Sequence, residues 1–121
     1  MRRFFFIVTF ITVCMSIYAH IYNNFMQAGN YAYKDKNYQL ATYFYEEALR
    51  QMPVDSVIDI YIANNHLRDA NMYSRNYPEA LRYGKDVIRN IEQMGLTGTY
   101  RSLEDSLFVA NIYSLNGDSI M

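Results

Sequence analysis

The sequence predicts an all-α fold of antiparallel helical hairpins stacked as a short α-solenoid: about five helices after an N-terminal apolar helix. Three observations carry this. From residue 22 onward apolar and aromatic residues recur at three-and-four spacing, the period of one helix face. The breaks between these runs are short and polar, and Gly or Pro falls in or beside most of them. And segments about 40 residues apart resemble one another, the mark of an array of repeated units. At 51% hydrophobic and 17% aromatic residues, the chain is too apolar to stay disordered.

The N-terminus differs from the rest. Arg2-Arg3 precede a charge-free apolar run, residues 4 to 19, which has the layout of an export signal: a basic start, an apolar stretch and a small residue for cleavage. The run is shorter than the roughly 20 residues that cross a bilayer as a helix, which favours a cleaved signal with Ala19 as the cleavage position. Ile17 is larger than the residue normally preferred there, so an uncleaved membrane anchor remains the alternative. Either way the protein is expected to be exported, periplasmic or membrane-anchored. Cys14 is the only cysteine and reads as a small apolar residue of that run, so no disulfide framework or thiol chemistry is expected.

The repeats occupy residues 20 to 121, divided as about 20–53, 54–95 and a half repeat over 99–121. Tyr22, Phe25, Ala28, Gly29 and Ala32 share one helix face until the polar residues 34 to 37. Tyr38, Ala41, Phe44, Tyr45, Ala48 and Leu49 share the next, which Met52-Pro53 ends. A third run spans Val54 to about Tyr73, with Val57, Ile60, Ala63, Leu67, Ala70 and Tyr73 on one stripe. Pro78 suits the first turn of a fourth helix, whose stripe includes Ala80, Leu81, Gly84, Val87, Ile88 and Ile91. Gly95 to Gly98 stop it. Ser102 and Asp105 are spaced like a capping box ahead of a fifth stripe, Leu103, Leu107, Ala110 and Tyr113, which Gly117-Asp118 end.

Residues 37 to 41 align with 76 to 80 at an offset of 39, and residues 70 to 74 with 110 to 114 at an offset of 40. The pattern resembles the tetratricopeptide repeat (TPR). Gly29-Asn30, Asn37-Tyr38, Ala41, Tyr45, Ala48 and Pro53 match that family's positions in order, with Phe25 where Trp is common. Ala110-Asn111, Tyr113 and Gly117-Asp118 match the first half of another repeat. The departures are a period of 39 to 40 against about 34, Ala32 at the usual tyrosine position, and two registers, two residues apart, for the middle repeat.

The resemblance implies a non-enzymatic module whose first helices line a groove for a protein or peptide partner. By that resemblance Asn30, Tyr33, Lys34 and Asn111 are the candidate groove residues, the two Asn offering both donor and acceptor to a ligand backbone. Combined with an export signal, a long repeat period resembles the extracytoplasmic sensing regions of bacterial membrane-bound regulators. The second expectation is a small envelope scaffold that self-associates through the 99–121 helix.

Nothing in the residues points to catalysis, a cofactor or nucleic acid. His20 and His66 lack a partner at metal-ligand spacing, and His66 is expected on a helix surface. Glu46, Asp59 and Asp105 read as solvated acids, some near helix starts where the dipole favours them. A net charge of -1 with interspersed signs offers no basic stripe for nucleic acid. Membrane contact is expected only through residues 4 to 19, if they are retained. The closing stretch, residues 110 to 121, reads as the first helix and turn of a third repeat without its second helix. Leu107, Ala110 and Tyr113 are expected to face one neighbour, leaving Phe108, Val109 and Ile112 partly uncovered.

Overall fold

The computed structural model describes the backbone of residues 2–115 and 117, and their side chains apart from 2–6, 11–19, 100 and 101. Among the described residues the fold is all-α: α1 (Arg2–Lys34), α2 (Tyr38–Gln51), α3 (Val57–Tyr73), α4 (Tyr77–Gln93) and α5 (Tyr100–Leu115). Each helix packs on the next in sequence, which short connections between antiparallel neighbours enforce.

Side-chain hydrogen bonds link alternate helices. Tyr22 of α1 donates to Asp59 of α3 at 2.9 Å, Tyr61 of α3 to Asp105 of α5 at 3.1 Å, and Tyr83 of α4 back to Glu46 of α2 at 3.1 Å. The odd-numbered helices therefore lie side by side in one row, and α2 and α4 in another. The core fills the space between, in two clusters built around Tyr45, Leu67 and Tyr83, and around Tyr22, Ala48 and Ala63. Small residues make this possible: Ala41, Ala48, Ala63, Ala70 and Ala80 are fully buried, so ridges of one helix reach the grooves of the next.

The turns fix the register that the sequence left double. Lys36 N–H donates to the Tyr33 carbonyl and Asn37 N–H to that of Ala32, and 39 residues later Arg75 donates to Met72 and Asn76 to Asn71. Lys36 and Arg75 both have positive φ, 59° and 64°, the left-handed closure of a helix C-terminus. Gly117 (φ 80°) repeats the step by donating to Ser114. The turns at residues 36, 75 and 117 thus lie 39 and then 42 residues apart. This places Gly29, Arg68 and Ala110 at equivalent positions of α1, α3 and α5, and selects the 39-residue alignment for the middle repeat.

Three sequence expectations change. First, the apolar N-terminal run and the first repeat helix are one helix, α1, continuous through Ala19-His20; at about 1.5 Å per residue its 33 residues extend about 50 Å. The described core begins at Tyr22. Among the described residues no helix is long and apolar enough to cross a membrane. Most side chains of the 4–19 run, on which the export expectation rests, lie outside the described set.

Second, Ser102 does not open α5. Its N–H donates to Thr99 Oγ1, so Thr99 takes the capping position, and Asp105 is buried and engaged elsewhere. Third, α5 presents the opposite face to α4 and α3 from the one its leucines mark. Asp105, Val109 and Ile112 are buried and Phe108 half-buried, whereas Leu103 and Leu107 are exposed. The choice follows from what α5 meets: Val109 drops onto Gly84 of α4, where a Cβ would come within 2.8 Å of its Cγ2, and the α3 charges need a partner at position 105. The apolar area left uncovered on α5 is real, but it belongs to leucines expected inside.

Candidate ligand groove

Equivalent positions along the odd-numbered helices define one row. Asn30 of α1, Asp69 of α3 and Asn111 of α5 each follow the Gly29, Arg68 and Ala110 position by one residue. Asn30 and Asn111 are exposed and Asp69 is partly exposed. The two asparagines expected to face a ligand thus share a register, and the middle member, which the ambiguous alignment hid, is an aspartate.

Asn30 is held from behind: its Oδ1 accepts a 2.6 Å hydrogen bond from Tyr45 Oη, leaving its amide group toward solvent. Asn30 and Lys34 share a shallow depression of about 320 Å³ with Gln27 and Tyr31, all on α1. Tyr33 lies apart from that depression, in a cluster of three rings. Tyr33 meets Tyr38 and Tyr73 edge-on, with centroids 5.4 and 6.1 Å apart, and Tyr38 and Tyr73 stack at 5.5 Å. Burial, reinforced by the nearby Asp69 carboxylate, pushes the Tyr33 hydroxyl up to about 12. Tyr73 of this cluster also lines, with Asp69, a crevice between α3 and α5. Asn111 lies on α5, away from these α1 residues; equivalence of position, not contact, unites the predicted set.

Between α3 and α5 a crevice of about 240 Å³ is lined by Arg68, Asp69, Tyr73, Glu104, Asp105 and Phe108. None of these stood among the predicted groove residues. Arg68 organises it. Its Nη1 donates to Asp105 Oδ1 at 3.0 Å and its Nε to Asp69 Oδ1 at 3.1 Å, while the guanidinium lies 4.2 Å from the Phe108 ring centre. The Arg68 and Asp105 side chains are only 8% and 5% exposed. A planar fork that satisfies two carboxylates and an aromatic face suits such a site better than a lysine ammonium. Among the described residues the crevice lining holds three carboxylates, Asp69, Glu104 and Asp105, and one guanidinium.

The acids taken as solvated are thus put to use: Asp59, Asp105 and Glu46 each accept a tyrosine hydroxyl from another helix. His66 is not on an open surface. Its ring stacks on Tyr45 at 5.0 Å and 11°, and burial lowers its basicity. Its neighbours Asn64 and Asn65 are buried; Asn64 donates to Asn90 of α4 at 2.8 Å and Asn65 to the Tyr61 carbonyl at 2.9 Å. Among the described residues no three His, Cys, Asp or Glu side chains gather as a metal site.

One signal in the sequence pointed to the missed residues. Once the 39-residue register is fixed, Asp69 falls on Asn30. The charge pairing of Arg68 with Asp105 across helices carries no such period and needs the folded chain. In comparison with known proteins, the chain matches no family model, no curated protein and no solved structure.

Proposed function

We propose that this chain is a non-enzymatic binding module of TPR type, in which the row of odd-numbered helices receives an extended segment of a protein or peptide partner. The observation that carries this reading is the recurrence of Asn30, Asp69 and Asn111 at one register of α1, α3 and α5. Two amides and a carboxylate in a line can engage successive backbone groups of a ligand. The aromatic cluster of Tyr33 and Tyr73 gives apolar surface beside them, and Lys34 adds a positive charge at one edge. Glu104 at the rim of the α3–α5 crevice favours a ligand with a basic residue at its middle.

In this reading residues 4 to 19 deliver the module out of the cytoplasm, as a cleaved signal or as an anchor. Mass spectrometry of the chain purified after expression in a bacterial host distinguishes the two: a mature N-terminus near His20 identifies a signal, and an intact N-terminus an anchor.

The binding reading is tested by selecting peptides on the full chain from a displayed random library and measuring their affinity. Asn30→Ala with Asn111→Ala should weaken binding about tenfold, the effect of losing one or two hydrogen bonds. Raising the salt should weaken ligands that carry Lys or Arg. Failure to enrich any peptide, or affinities unchanged by the double substitution, would remove the proposal.

A further inference from the structure

Two turns of the chain gather three phenols. Tyr33 lies in the last turn of α1, Tyr38 opens α2 and Tyr73 closes α3. Tyr38 and Tyr73 are far apart in the sequence, yet their rings stack with centres 5.5 Å apart and planes 23° apart. Tyr33 meets both edge-on and backs the pair. Tyr38 is half-buried and Tyr73 is 61% exposed. One ring is thus held, the other is free to turn, and solvent reaches the stack.

Packing alone does not call for phenols here. With the turns at residues 36, 75 and 117 in register, the positions of Tyr33, Tyr38 and Tyr73 recur at the next junction as Met72, Tyr77 and Leu115. That junction holds one tyrosine and two apolar side chains without hydroxyls. What three tyrosines add is phenol chemistry. A phenol that loses its hydroxyl proton and one electron becomes a radical, with spin density on the ring carbons ortho to the oxygen. Two such radicals join carbon to carbon, and holding the two rings together replaces a collision between molecules by an internal step. Cys14 is the only cysteine, so no disulfide can join two helices of this chain.

We infer that Tyr38 and Tyr73 form a site of oxidative cross-linking, joined as dityrosine by a one-electron oxidant, hydrogen peroxide acting through a haem peroxidase, and that the bond staples α2 to α3. Each phenol gives up its hydroxyl proton and one electron. The two radicals form one carbon–carbon bond between ortho ring carbons, and the hydrogens on those carbons pass to the oxygens, restoring both phenols. The net loss is two hydrogens, which reduce one peroxide to two waters. The stacked planes must open for this bond to form, and exposed Tyr73, at the end of α3, is the ring that turns. Tyr33 is the poorer partner: the burial that pushes its hydroxyl up to about 12 opposes loss of its proton. A bond between residues 38 and 73 constrains the unfolded chain as a disulfide closing a long loop does. The inference is independent of any ligand in the groove.

The test is oxidation of the full chain, dilute in neutral detergent, by a haem peroxidase and hydrogen peroxide, with dityrosine fluorescence read from the monomer band of a denaturing gel. A fluorescent monomer is expected, in which mass spectrometry finds the Tyr38 peptide joined to the Tyr73 peptide less two hydrogens. Tyr38→Phe and Tyr73→Phe should each remove most of that signal with helical circular dichroism unchanged, because both keep the ring. Tyr43→Phe should leave it in place: Tyr43 is 55% exposed, but the ring beside it is Phe44, which has no hydroxyl. Treatment should raise the urea midpoint relative to Tyr38→Phe treated alike, a comparison that subtracts the oxidation of methionines. No fluorescence in the monomer band, a signal that survives both substitutions, or a bond mapped to other tyrosines overturns the inference, as does dityrosine found only between chains. A bond between Tyr38 and Tyr73 that leaves the midpoint where it was overturns the staple.

Discussion

Gly29 of α1 lies directly under the ring of Tyr45 of α2: a Cβ at residue 29 would come within 2.6 Å of Tyr45 Cδ1 and Cε1. Thirty-nine residues on, the same two positions hold Arg68 and Gly84, with the sizes exchanged. There the Arg68 stem crosses Gly84, its Cδ 3.6 Å from where a Cβ would stand. Each hairpin thus places one glycine against one long side chain, but Tyr45 points its hydroxyl to Asn30 of its own hairpin, while Arg68 reaches forward to α5. The exchange turns an internal packing contact into a link between units.

Gly29→Ala should destabilise the fold. The Tyr45 ring is fully buried and has nowhere to move, so overpacking of about 1–3 kcal/mol outweighs the gain of up to about 1 kcal/mol in helix propensity. The urea midpoint should fall. An unchanged or raised midpoint would show that the ring can shift.

Tyr45→Phe separates packing from the hydrogen bond. The ring stays, the 2.6 Å bond to Asn30 Oδ1 is lost, and exposed Asn30 turns to water. The expected loss of stability is small, about 0.5–1 kcal/mol, read from the same unfolding curves.

Asp105→Ala leaves the buried Arg68 guanidinium without its principal partner. The loss should be about 3 kcal/mol, the lower end for a broken buried pair, because Asp69 and Phe108 still hold the arginine. Arg68→Met with Asp105→Leu should recover most of it. A double-mutant cycle in which the double variant is as unstable as the sum of the singles would show that the pair has no coupling.

His66 makes the fold sensitive to acid. Burial lowers its folded pKa below the unfolded value near 6.5, so the folded state binds the proton less well than the unfolded chain. Its contribution is fully present above the unfolded pKa and is lost as pH falls below it. His66→Phe keeps a ring on Tyr45 and should flatten the decline in thermal midpoint as pH falls below about 6.5. An equally steep decline in the variant would assign the acid sensitivity to other groups.

Alkali acts through the tyrosines. Burial pushes the Tyr45 and Tyr83 hydroxyls up to about 12, with Glu46 adding to the effect on Tyr83. Groups raised in the folded state stabilise it fully below the unfolded value of about 10 and lose that contribution as pH climbs toward 12. Stability should therefore fall as pH climbs above about 10, and Tyr45→Phe with Tyr83→Phe should flatten that decline; an equally steep decline in the double variant would contradict it.

Much of this organisation was legible in the residues. Helical period, the Asn-Tyr turns, Pro53, Pro78 and Gly95 gave α2 to α5 at nearly their observed bounds, because helix faces and breaks are local properties, whereas the separate N-terminal helix merged into α1. Small residues at Gly29, Ala41, Ala48 and Ala80 marked close approaches, as the buried structure has it. The amides at Asn30 and Asn111 were legible as an equivalent pair for the same reason.

What tertiary structure alone decided is which neighbour each side chain serves. A helix with apolar residues on several sides, as α5 has, does not state which side turns inward. Gly84 and the buried charge of Arg68 made that choice, sending Val109, Ile112 and Asp105 in and Leu103 and Leu107 out. Asp69 came into register with Asn30 and Asn111, and Glu46, Asp59 and Asp105 became tyrosine acceptors, only through contacts 37 or more residues apart in the chain or through a turn-fixed register. Periodicity along one helix encodes a face; the partner of that face depends on the crossing of another helix, and no local pattern carries it.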